Sequence, residues 1–530
     1  MKFDNRTQGP GLVRRRAAVS ATAAFMGMTA VFGGGLTAAA HADAGATSTG
    51  VILGVGADEA QRVVSWYSSA GTAQVVQVAP TSQVRNGEFP KNAVTIPATV
   101  TANKVNGGFN GHAVIDGLKQ NTSYSYRVGA EGAWSSTYSF RTQNFNGNSF
   151  DFLFFGDPQI GSSGDVAKDG AGWTDTLNVA TAANPKAELL VSGGDQIDSA
   201  NNETQWNAFL ASDKLRSYPW AATIGNHDVG GKAYEQHFWT PNTDRSAPYY
   251  NGDANTRSGG DYWFTYKSVL FIDINSNAYA SGADAAHIGY ITDVIKNHGA
   301  KAKHTVLVYH HSIYSPADHA NDGDNQLRRQ DFPTAFSNLG VDLVLQGHDH
   351  SYSRSYVIKN GKKANPAEQP GAAEVAEGPG GVIYVTANSA SGSKYYDITA
   401  PDTTEDPNYG PDPLNPKSHW ANSVQNQEHV RTYVKVQVRG DKLVVENIRS
   451  GTCAAPNAAV ELGKESWCGP NDGKDAALPV GSRVDSVVIH TNDAPGKPGK
   501  PGEPGKPGEP GKPGKPGKPG EPGPASDWLQ

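Results

Sequence analysis

The sequence predicts a small all-β sandwich followed by a larger α/β domain, and two observations lead to this prediction. Between residues 50 and about 143, short segments alternate apolar and polar residues, as half-buried antiparallel strands do. From Phe150 onward, apolar strands end in polar clusters and are separated by segments of helical periodicity. Alternating strands and helices indicate an α/β core whose functional groups lie at the strand ends.

The first domain is predicted for residues 43–145 and contains strand-like segments such as "RVVSWYSS" and "SSTYSFRT". Its segment from Leu118 to Val128, with Tyr124 and Tyr126, resembles the signature of a fibronectin type III domain. Trp66 matches the early buried tryptophan of that family. Because the segment holds no cluster of chemically reactive residues, we expect it to serve packing or positioning.

The second domain is predicted for residues 148–492. Its strands include "FDFLFFGDPQIG", "AELLVSGGDQID", "HTVLVYHHS" and "VDLVLQGHDHS", and "GWTDTLNVATAANP" has the periodicity of a helix. The later segments "TYVKVQVRGDKLVVENIR" and "RVDSVVIHT" are typical of antiparallel strands and are expected to close the domain.

The N-terminal residues 1–42 have the pattern of an export signal, because arginines precede an apolar alanine-rich run and a small-x-small site. A membrane anchor is the alternative, but Gly33–Gly35 interrupt the run. We therefore expect a secreted or cell-surface protein, and "RRRAAV" leaves the twin-arginine route open. In an oxidising compartment Cys453 and Cys468 would form a disulfide.

The charge of the chain argues against nucleic acid as its main partner. Residues 1–42 carry five basic residues and one acidic residue, so their removal changes the formal net charge from −7 to −11. An acidic body repels a phosphate backbone. No other run of the sequence is apolar and long enough to span a membrane.

The C-terminal residues 493–530 form a low-complexity tail of Gly-Lys-Pro and Gly-Glu-Pro triplets, which run from Gly496 to Pro522. Strict Gly-X-Y repeats permit a collagen-like triple helix, which would trimerise the chain. The alternative is an extended stalk, roughly 80–90 Å long at about 3.1 Å per residue, suited to cell-wall association. We favour the stalk, because a bacterial-type export signal suggests that the prolines are not hydroxylated.

Metal-binding side chains follow five predicted strands of the α/β domain, in chain order. They are Asp157, Asp195, Asn226, His310 or His311, and the pair His348 and His350. Strand ends converge on one face of such a sheet. Oxygen and imidazole donors without thiolates suit Zn, Mn or Fe, and their number exceeds the need of one tetrahedral ion. Two divalent ions, about 3.5–4 Å apart and bridged by a carboxylate, would account for the surplus.

Five short segments that contain these side chains resemble the sequence blocks of a known family. "GDPQ", "GGDQID", "GNHD", "HHSIYS" and "GHDHSYSRS" are similar to the blocks of the calcineurin-like metallophosphoesterases, and within them to those of the purple acid phosphatases. The resemblance covers roughly residues 150–450, and a preceding fibronectin-like domain also fits that family. It implies a four-layer αββα fold, in which two sheets form a β-sandwich flanked by helices.

The resemblance also implies a role for each residue of the centre. The ligands of one ion would be Asp157, Asp195 and His350, and those of the other would be Asp195, Asn226, His310 and His348. His310 is favoured over His311 because Tyr314 and Ser315 follow it at the family's offsets. The residues expected to support the ligands from behind are His311, Tyr352 and Arg354.

Two further histidines would do the proton chemistry. His227 resembles the histidine that contacts the substrate phosphate, and His319 resembles the histidine beside the leaving group. The alternative for His319 is a solvated histidine in the loop "SPADHANDGD".

The sequence departs from the family at two positions. Asp198 stands where the purple enzymes carry the tyrosine whose phenolate gives their colour, and Gln159 stands where the wider superfamily often has a histidine. Gln159, Asp198 or water would complete the first metal site. An oxygen-rich site favours Mn(II), Fe(II) or Zn over stable Fe(III), so we expect a colourless protein.

The resemblance implies an exported dinuclear-metal phosphatase that hydrolyses small phosphomonoesters by attack of a metal-bound hydroxide. One alternative is a phosphodiesterase or nucleotide hydrolase with the same ions, which the placement of Arg328 and Arg329 could help to decide. A second alternative is a surface adhesin with a decayed catalytic domain, which the retention of nearly every metal ligand argues against.

Overall fold

The computed structural model describes residues 45–246, 249–279, 282–399, 401, 410–451 and 478–491. The predicted export segment 1–42, the cysteines Cys453 and Cys468, and the tail 493–530 lie outside the described residues. Within the described part of the chain, no helix is long and apolar enough to cross a membrane.

The first part of the chain is built entirely from strands and one 3-10 turn. Its strands are β1 (Ser48–Val55), β2 (Arg62–Ser68), β3 (Val75–Pro80), β4 (Val94–Pro97), β5 (Thr99–Ala102), β6 (Phe109–Ile115), β7 (Ser123–Ala130), β8 (Ala133–Trp134) and β9 (Tyr138–Arg141). A sheet of β4, β3, β7 and β8, with β9 beside β7, packs against β1, β2, β6 and β5. Trp66 is fully buried between them, and its Nε1 donates to Gln74 Oε1 at 2.7 Å, as expected of a sandwich core.

The second part of the chain alternates strands and helices up to residue 346. These elements are β10 (Ser149–Phe155), α1 (Val166–Ala183), β11 (Ala187–Ser192), α2 (Glu203–Phe209), α3 (Lys214–Ser217), β12 (Trp220–Ala221), α4 (Ala233–His237), β13 (Tyr262–Tyr266), β14 (Val269–Asp273), α5 (Ala283–His298), β15 (His304–Val308), α6 (Gly323–Leu339) and β16 (Leu343–Gln346). Asp165 and Asn202 begin α1 and α2 by accepting backbone N–H groups of the first turn.

The described elements after residue 346 are strands. They are β17 (Tyr352–Ser355), β18 (Ile358–Lys359), β19 (Lys362–Lys363), β20 (Glu374–Ala376), β21 (Ile383–Thr386), β22 (Pro411–Asp412), β23 (Asn415–His419), β24 (Asn422–Asn426), β25 (Thr432–Arg439), β26 (Lys442–Arg449) and β27 (Arg483–His490). Strands β25, β26 and β27 form the antiparallel closing strands that the sequence predicts.

Two large sheets form the centre of the α/β part. One has the order β20-β27-β26-β25-β10-β11-β12-β1-β2-β6-β5, and the other has the order β13-β14-β15-β16-β21-β17-β24. In the first sheet β10, β11 and β12 are parallel, and in the second β14, β15, β16 and β21 are parallel. The carboxyl ends of parallel strands share one edge of a sheet, so each sheet offers one edge for functional loops.

The packing of these sheets confirms the predicted four-layer αββα fold. Strand β10 alternates its side chains, so that Phe152 and Phe154 face the second sheet while Leu153 and Phe155 face α1 and α2. The outer face of the second sheet is covered by α5 and α6, for example by Phe332. Burial on both faces explains why these strands are nearly continuous apolar runs.

The N-terminal strands continue the first large sheet instead of forming a detached module. Strand β1 pairs in parallel with β12, with Gly54 opposite Trp220. Tyr126 Oη donates to the carbonyl of Arg216 at 2.9 Å, and the Tyr67 ring stacks on His237 at 4.2 Å. The domain boundary near residue 146 stays a prediction, and the sheet runs across it.

One buried ion pair ties the two large sheets together. Arg354 on β17 donates to Asp485 on β27 through Nε at 2.6 Å, and Tyr352 Oη donates to the same carboxylate at 2.8 Å. Replacing Asp485 by alanine would leave the fully buried Arg354 unpaired, so we expect a loss of about 3–5 kcal/mol in the free energy of unfolding, measured by chemical denaturation.

Arg483 provides the matched control for this change, because it lies on the same strand but is 66% exposed in its pair with Glu446. Its replacement by alanine is expected to cost at most about 1 kcal/mol. Equal losses for the two variants would contradict the assignment of Asp485 as the tie between the sheets.

Candidate metal centre

The carboxyl ends of five parallel strands bring the predicted metal ligands together. Asp157 follows β10, Asp195 follows β11 and Asn226 follows β12, so the first sheet supplies three ligands. His310 follows β15, and His348 and His350 follow β16, so the second sheet supplies the rest. The centre therefore lies where the two sheets meet.

Four of these ligands have a backbone conformation that non-glycine residues rarely adopt. The φ angles of Asp157, Asp195, His348 and His350 are 28°, 46°, 72° and 44°. Left-handed φ at a non-glycine residue costs about 1–3 kcal/mol and persists only where the surroundings impose it. Such strain is concentrated at functional sites, and here it turns the side chains into a common space.

Glycines leave the room that these ligands occupy. A Cβ at Gly225 would overlap Asp195 Oδ1, one at Gly347 would overlap Asp157 Oδ2, and one at Gly194 would overlap His310 Nδ1. The motif glycines of the sequence thus have a steric reason to be glycine.

Replacing Gly225 by alanine is expected to displace Asp195 and to lower kcat/KM by about 10²-fold, because a ligand shift of about 1 Å has this effect. Metal content and the rate of phosphate release measure the change. Gly230→Ala is the matched control in the same loop, since the nearest atom to its Cβ would be 3.9 Å away. Equal loss of activity in both variants would contradict the steric argument.

His310 is the centre of the tightest group of ligands. Its Nε2 lies 2.9 Å from Asn226 Oδ1, 3.2 Å from Asp195 Oδ2 and 3.1 Å from His348 Nδ1. Its Nδ1 lies 2.8 Å from the carbonyl of Gly193, which fixes Nδ1 as the protonated nitrogen and leaves Nε2 to face the others. These four side chains are the predicted ligands of the second ion.

The other group is looser and surrounds Asp157. His350 Nε2 lies 3.8 Å from Asp157 Oδ1, and His350 Nδ1 donates to the carbonyl of Lys394 at 3.0 Å. The backbone N–H of His348 donates to Asp157 Oδ2 at 2.8 Å. With Nδ1 engaged, the Nε2 lone pair of His350 faces the carboxylate, which is the orientation of a metal ligand.

Burial and mutual charge set the protonation of the ligands. Burial raises the pKa of Asp157 well above its usual range. Burial alone would also raise the pKa of Asp195, but the charges and hydrogen bonds of His310 and His227 together outweigh burial and lower this pKa. Burial alone would lower the pKa of His310, but Asp195 and Asp157 raise it to about 9. Burial lowers the pKa of His350 to about 3 and that of His348 well below its usual value.

These residues fit a pair of divalent ions. Three atoms with lone pairs surround His310 Nε2, so the cluster needs a positive charge at its centre, either a proton or a metal ion. The lowered pKa values of His348 and His350 favour the neutral imidazole, which is the form that binds metals. The donor set of oxygen and imidazole nitrogen suits Zn, Mn or Fe.

Gln159 and Asp198 lie next to each other beside this centre. Gln159 Nε2 donates to Asp198 Oδ1 at 3.2 Å, and Gln159 has a left-handed φ of 33°. Gln159 Oε1 is buried and makes no hydrogen bond within the described residues. A buried amide oxygen without a partner is costly, so Gln159 is better suited than Asp198 to complete the first metal site.

Asp198 instead contacts His227. Its backbone carbonyl accepts from His227 Nδ1 at 2.6 Å, and its Oδ1 lies 3.6 Å from the same nitrogen. The backbone N–H of His227 donates to Asp195 Oδ1 at 2.9 Å. His227 is one-third exposed, so its Nε2 is left for a ligand from solution.

His319 lies against the centre. Its ring stacks on that of His348 at 3.8 Å between centroids, and its Nδ1 donates to Asp322 Oδ2 at 2.7 Å. Arg329 holds the preceding loop by donating to the carbonyls of Ile313 and Ala320, both at 2.8 Å. This position differs from that of a solvated loop histidine.

The supporting residues divide into two groups. His311 packs beside His348 at 4.5 Å between ring centroids and lies 2.8 Å from Ser276 Oγ, so it lies directly behind the ligands. Tyr352 and Arg354 make their hydrogen bonds with Asp485 between the sheets. Arg328 contacts Asp324 and the carbonyl of Ser276. Arg328 and Arg329 are both buried, so neither is exposed at the entrance to the metal centre.

Sequence reasoning missed several residues of the centre. Asp228 accepts from the backbone N–H groups of Gly225 and Gln196 and so shapes the loop that carries Asn226. Asp349 accepts from Ser315 Oγ at 2.7 Å, and burial raises its pKa to about 6. Both aspartates stand inside motifs that the sequence displays, "GNHD" and "GHDH", whereas Asp322 belongs to none.

Two family models match the chain. The purple acid phosphatase N-terminal domain matches residues 48–142, and the calcineurin-like phosphoesterase model matches residues 150–352. Purple acid phosphatase 21 of Arabidopsis thaliana is 26% identical over 49% of this chain and 56% of that protein. Purple acid phosphatase 1 of Ipomoea batatas is 24% identical over 56% of this chain and 62% of that protein. The chain thus spans about three fifths of the length of the curated relatives it matches.

Solved structures with the same fold include a purple acid phosphatase. The enzyme from yellow lupin (Lupinus luteus) seeds matches with a TM-score of 0.60 at 17% identity, over 84% of this chain and 74% of that chain. PhoD matches with a TM-score of 0.51 at 13% identity, over 84% of this chain and 90% of that chain. At these identities the likeness concerns the fold.

Proposed function

Because the chain belongs to the purple acid phosphatase-like members of the calcineurin-like metallophosphoesterase superfamily, we propose that it is an exported phosphatase that hydrolyses phosphomonoesters at two divalent metal ions. The observation that supports this most strongly is the group around His310 Nε2, where Asn226 Oδ1, Asp195 Oδ2 and His348 Nδ1 lie within 3.2 Å. When bound, two such ions would supply a nucleophilic hydroxide near neutral pH and neutralise charge on the phosphoryl oxygens.

The protein side chains hold and orient this centre. Asp195 lies 3.2 Å from His310 in one group of ligands, and its charge raises the pKa of Asp157 in the other group, which suits a carboxylate that two ions would share. Two carboxylates leave a pair of +2 ions with a net positive charge, so the site favours an anionic substrate such as a phosphomonoester dianion.

His227 and His319 would handle the substrate and its proton. His227 Nδ1 is hydrogen-bonded to the carbonyl of Asp198, and His319 Nδ1 is hydrogen-bonded to Asp322 Oδ2. Each ring therefore presents its Nε2 to the site. A protonated Nε2 donates to a phosphoryl oxygen or to the departing alkoxide, which lowers the barrier for leaving-group departure.

Hydrolysis of matched esters tests this function. The full chain, loaded in turn with Mn, Zn or Fe, would be assayed with p-nitrophenyl phosphate and with bis(p-nitrophenyl) phosphate. We expect faster turnover of the monoester, because a dianion gains more from the positive centre. Faster turnover of the diester would favour the phosphodiesterase alternative, and no turnover of either would favour the adhesin.

The colour of the loaded protein tests the chemistry of residue 198. Asp198 has no phenolate, and its carboxylate is engaged by Gln159. We therefore expect no strong visible absorption band from the purified, metal-loaded protein. A purple preparation with a charge-transfer band would contradict the proposed ligand set.

A further inference from the structure

Lys394 and Tyr396, which no motif of the sequence singles out, lie directly beside the metal centre. The carbonyl of Lys394 accepts from His350 Nδ1 at 3.0 Å, so this residue is fixed behind one ligand. Gln427 Nε2 donates to the carbonyls of both His350 and Tyr396 at 2.7 Å. The loop after β21 is therefore anchored to the ligand loop at both residues.

Tyr396 connects the metal centre to the leaving-group histidine. Its ring packs edge-on against His350 at 5.3 Å and against His319 at 5.2 Å between centroids. The ring is half-buried, so part of it is exposed to solvent. A substrate whose leaving group passes His319 would pass Tyr396 as well.

The ammonium group of Lys394 lies over this tyrosine. Its Nζ is 4.4 Å from the ring centroid of Tyr396, which is the distance of a cation–π contact. Lys394 is half-buried, and it makes no ion pair with any carboxylate of the described residues. A positive charge without a carboxylate partner, held beside an anion-binding centre, is available to an anionic ligand.

We propose that Lys394 binds a second anionic group on the leaving part of the substrate, so that the preferred phosphomonoesters carry a group such as a carboxylate near the phosphate. This inference rests on the proposed function. Lys394 is placed for this role because its carbonyl accepts from His350 Nδ1, while its Nζ lies over the ring of Tyr396, which packs against His319. It therefore lies on the side of the leaving group and acts on specificity.

Two esters that differ at one carbon test the inference. Glycerol 3-phosphate has a neutral leaving group, whereas 3-phosphoglycerate carries a carboxylate in place of the terminal hydroxymethyl group. We expect the wild-type protein to prefer 3-phosphoglycerate. Lys394→Met keeps the length and packing of the side chain without its charge, and is expected to lower this preference in kcat/KM by about tenfold, chiefly through KM.

Two variants control the comparison. Lys394→Arg retains the charge and the contact with Tyr396, and is expected to restore most of the preference. Lys186→Met removes an exposed charge just before β11, at the opposite end of the strand from Asp195, and is expected to leave the preference unchanged. A loss of equal size for both esters in Lys394→Met, or no rescue by arginine, would overturn the inference.

Binding without turnover separates this inference from the proposed function. Calorimetry with 2-carboxyethylphosphonate and propylphosphonate, which are not hydrolysed, makes the same comparison on the metal-loaded full chain. We expect the carboxylated anion to bind about tenfold more tightly to the wild type, and to lose this advantage in Lys394→Met. Absence of ester hydrolysis with this difference intact would contradict only the proposed function, whereas equal binding of the two anions to the wild type would overturn the role of Lys394.

Discussion

Replacing Asp195 by asparagine is expected to lower kcat/KM for a phosphomonoester by at least about 10³-fold and to release metal from the protein. Asparagine keeps the shape of the side chain but removes the negative charge that both ions would share. Asp195 Oδ2 lies 3.2 Å from His310 Nε2, and Asp195 Oδ1 accepts the backbone N–H of His227 at 2.9 Å. The amide has one oxygen only, so one of these two contacts must change.

Metal content per chain and steady-state kinetics measure this effect. Asp213→Asn is the matched control, because the same chemical change falls on a side chain that is 91% exposed. The control is expected to keep its metal and its activity. Normal metal content together with normal activity in Asp195→Asn would contradict the assignment of Asp195 as the shared ligand.

Replacing His227 by alanine is expected to lower kcat by about 10²–10⁴-fold while metal content changes little. The contact between His227 and a metal ligand is made by its backbone N–H, which donates to Asp195 Oδ1 and remains in alanine. The side chain contacts the carbonyl of Asp198 through Nδ1. Truncation therefore removes the proton donor and spares the ligands.

Elemental analysis, combined with kcat and KM, distinguishes a catalytic role of His227 from a structural one. His490→Ala, on β27, is the control, since it removes a partly exposed imidazole that pairs with an exposed glutamate. It is expected to leave both quantities unchanged. Parallel loss of metal and kcat in His227→Ala would assign His227 to the structure of the centre.

The position of the ligands in the fold was predictable, because each ligand follows a strand and the ends of parallel strands lie together. Asp157, Asp195 and His310 each come directly after an apolar run, and the carboxyl ends of parallel strands meet at one edge. Local sequence therefore fixes both the strand and the position of the ligand. The fold class follows from the same pattern of buried strands and amphipathic helices.

The sheet that continues from the N-terminal strands into the α/β part could not be predicted from local sequence. Strand β1 pairs with β12, which lies about 165 residues later, and this contact depends on which edge of the first sheet is left open. The pairing of Arg354 with Asp485 likewise joins residues 131 positions apart. The local sequence does not predict such distant partners, because the many residues between two strands or two side chains do not determine which of them will pair.

At residue 198 the sequence motif identified an unusual side chain but did not predict what that side chain contacts. The aspartate in place of tyrosine was visible in "GGDQID", but its partners were not. Its carbonyl accepts from His227, and its carboxylate accepts from Gln159, so it links the candidate proton donor to the first metal site. Lys394 and Tyr396 were missed for a related reason, since they reach the centre through a loop that carries no motif.

The metal stoichiometry of the full chain, measured before and after chelation together with phosphomonoester hydrolysis, tests the central claim most directly. We expect two ions per chain, loss of activity as the ions are removed, and recovery when Mn, Zn or Fe is restored. Hydrolysis that survives complete removal of metal, or full activity with no bound ion, would contradict the account.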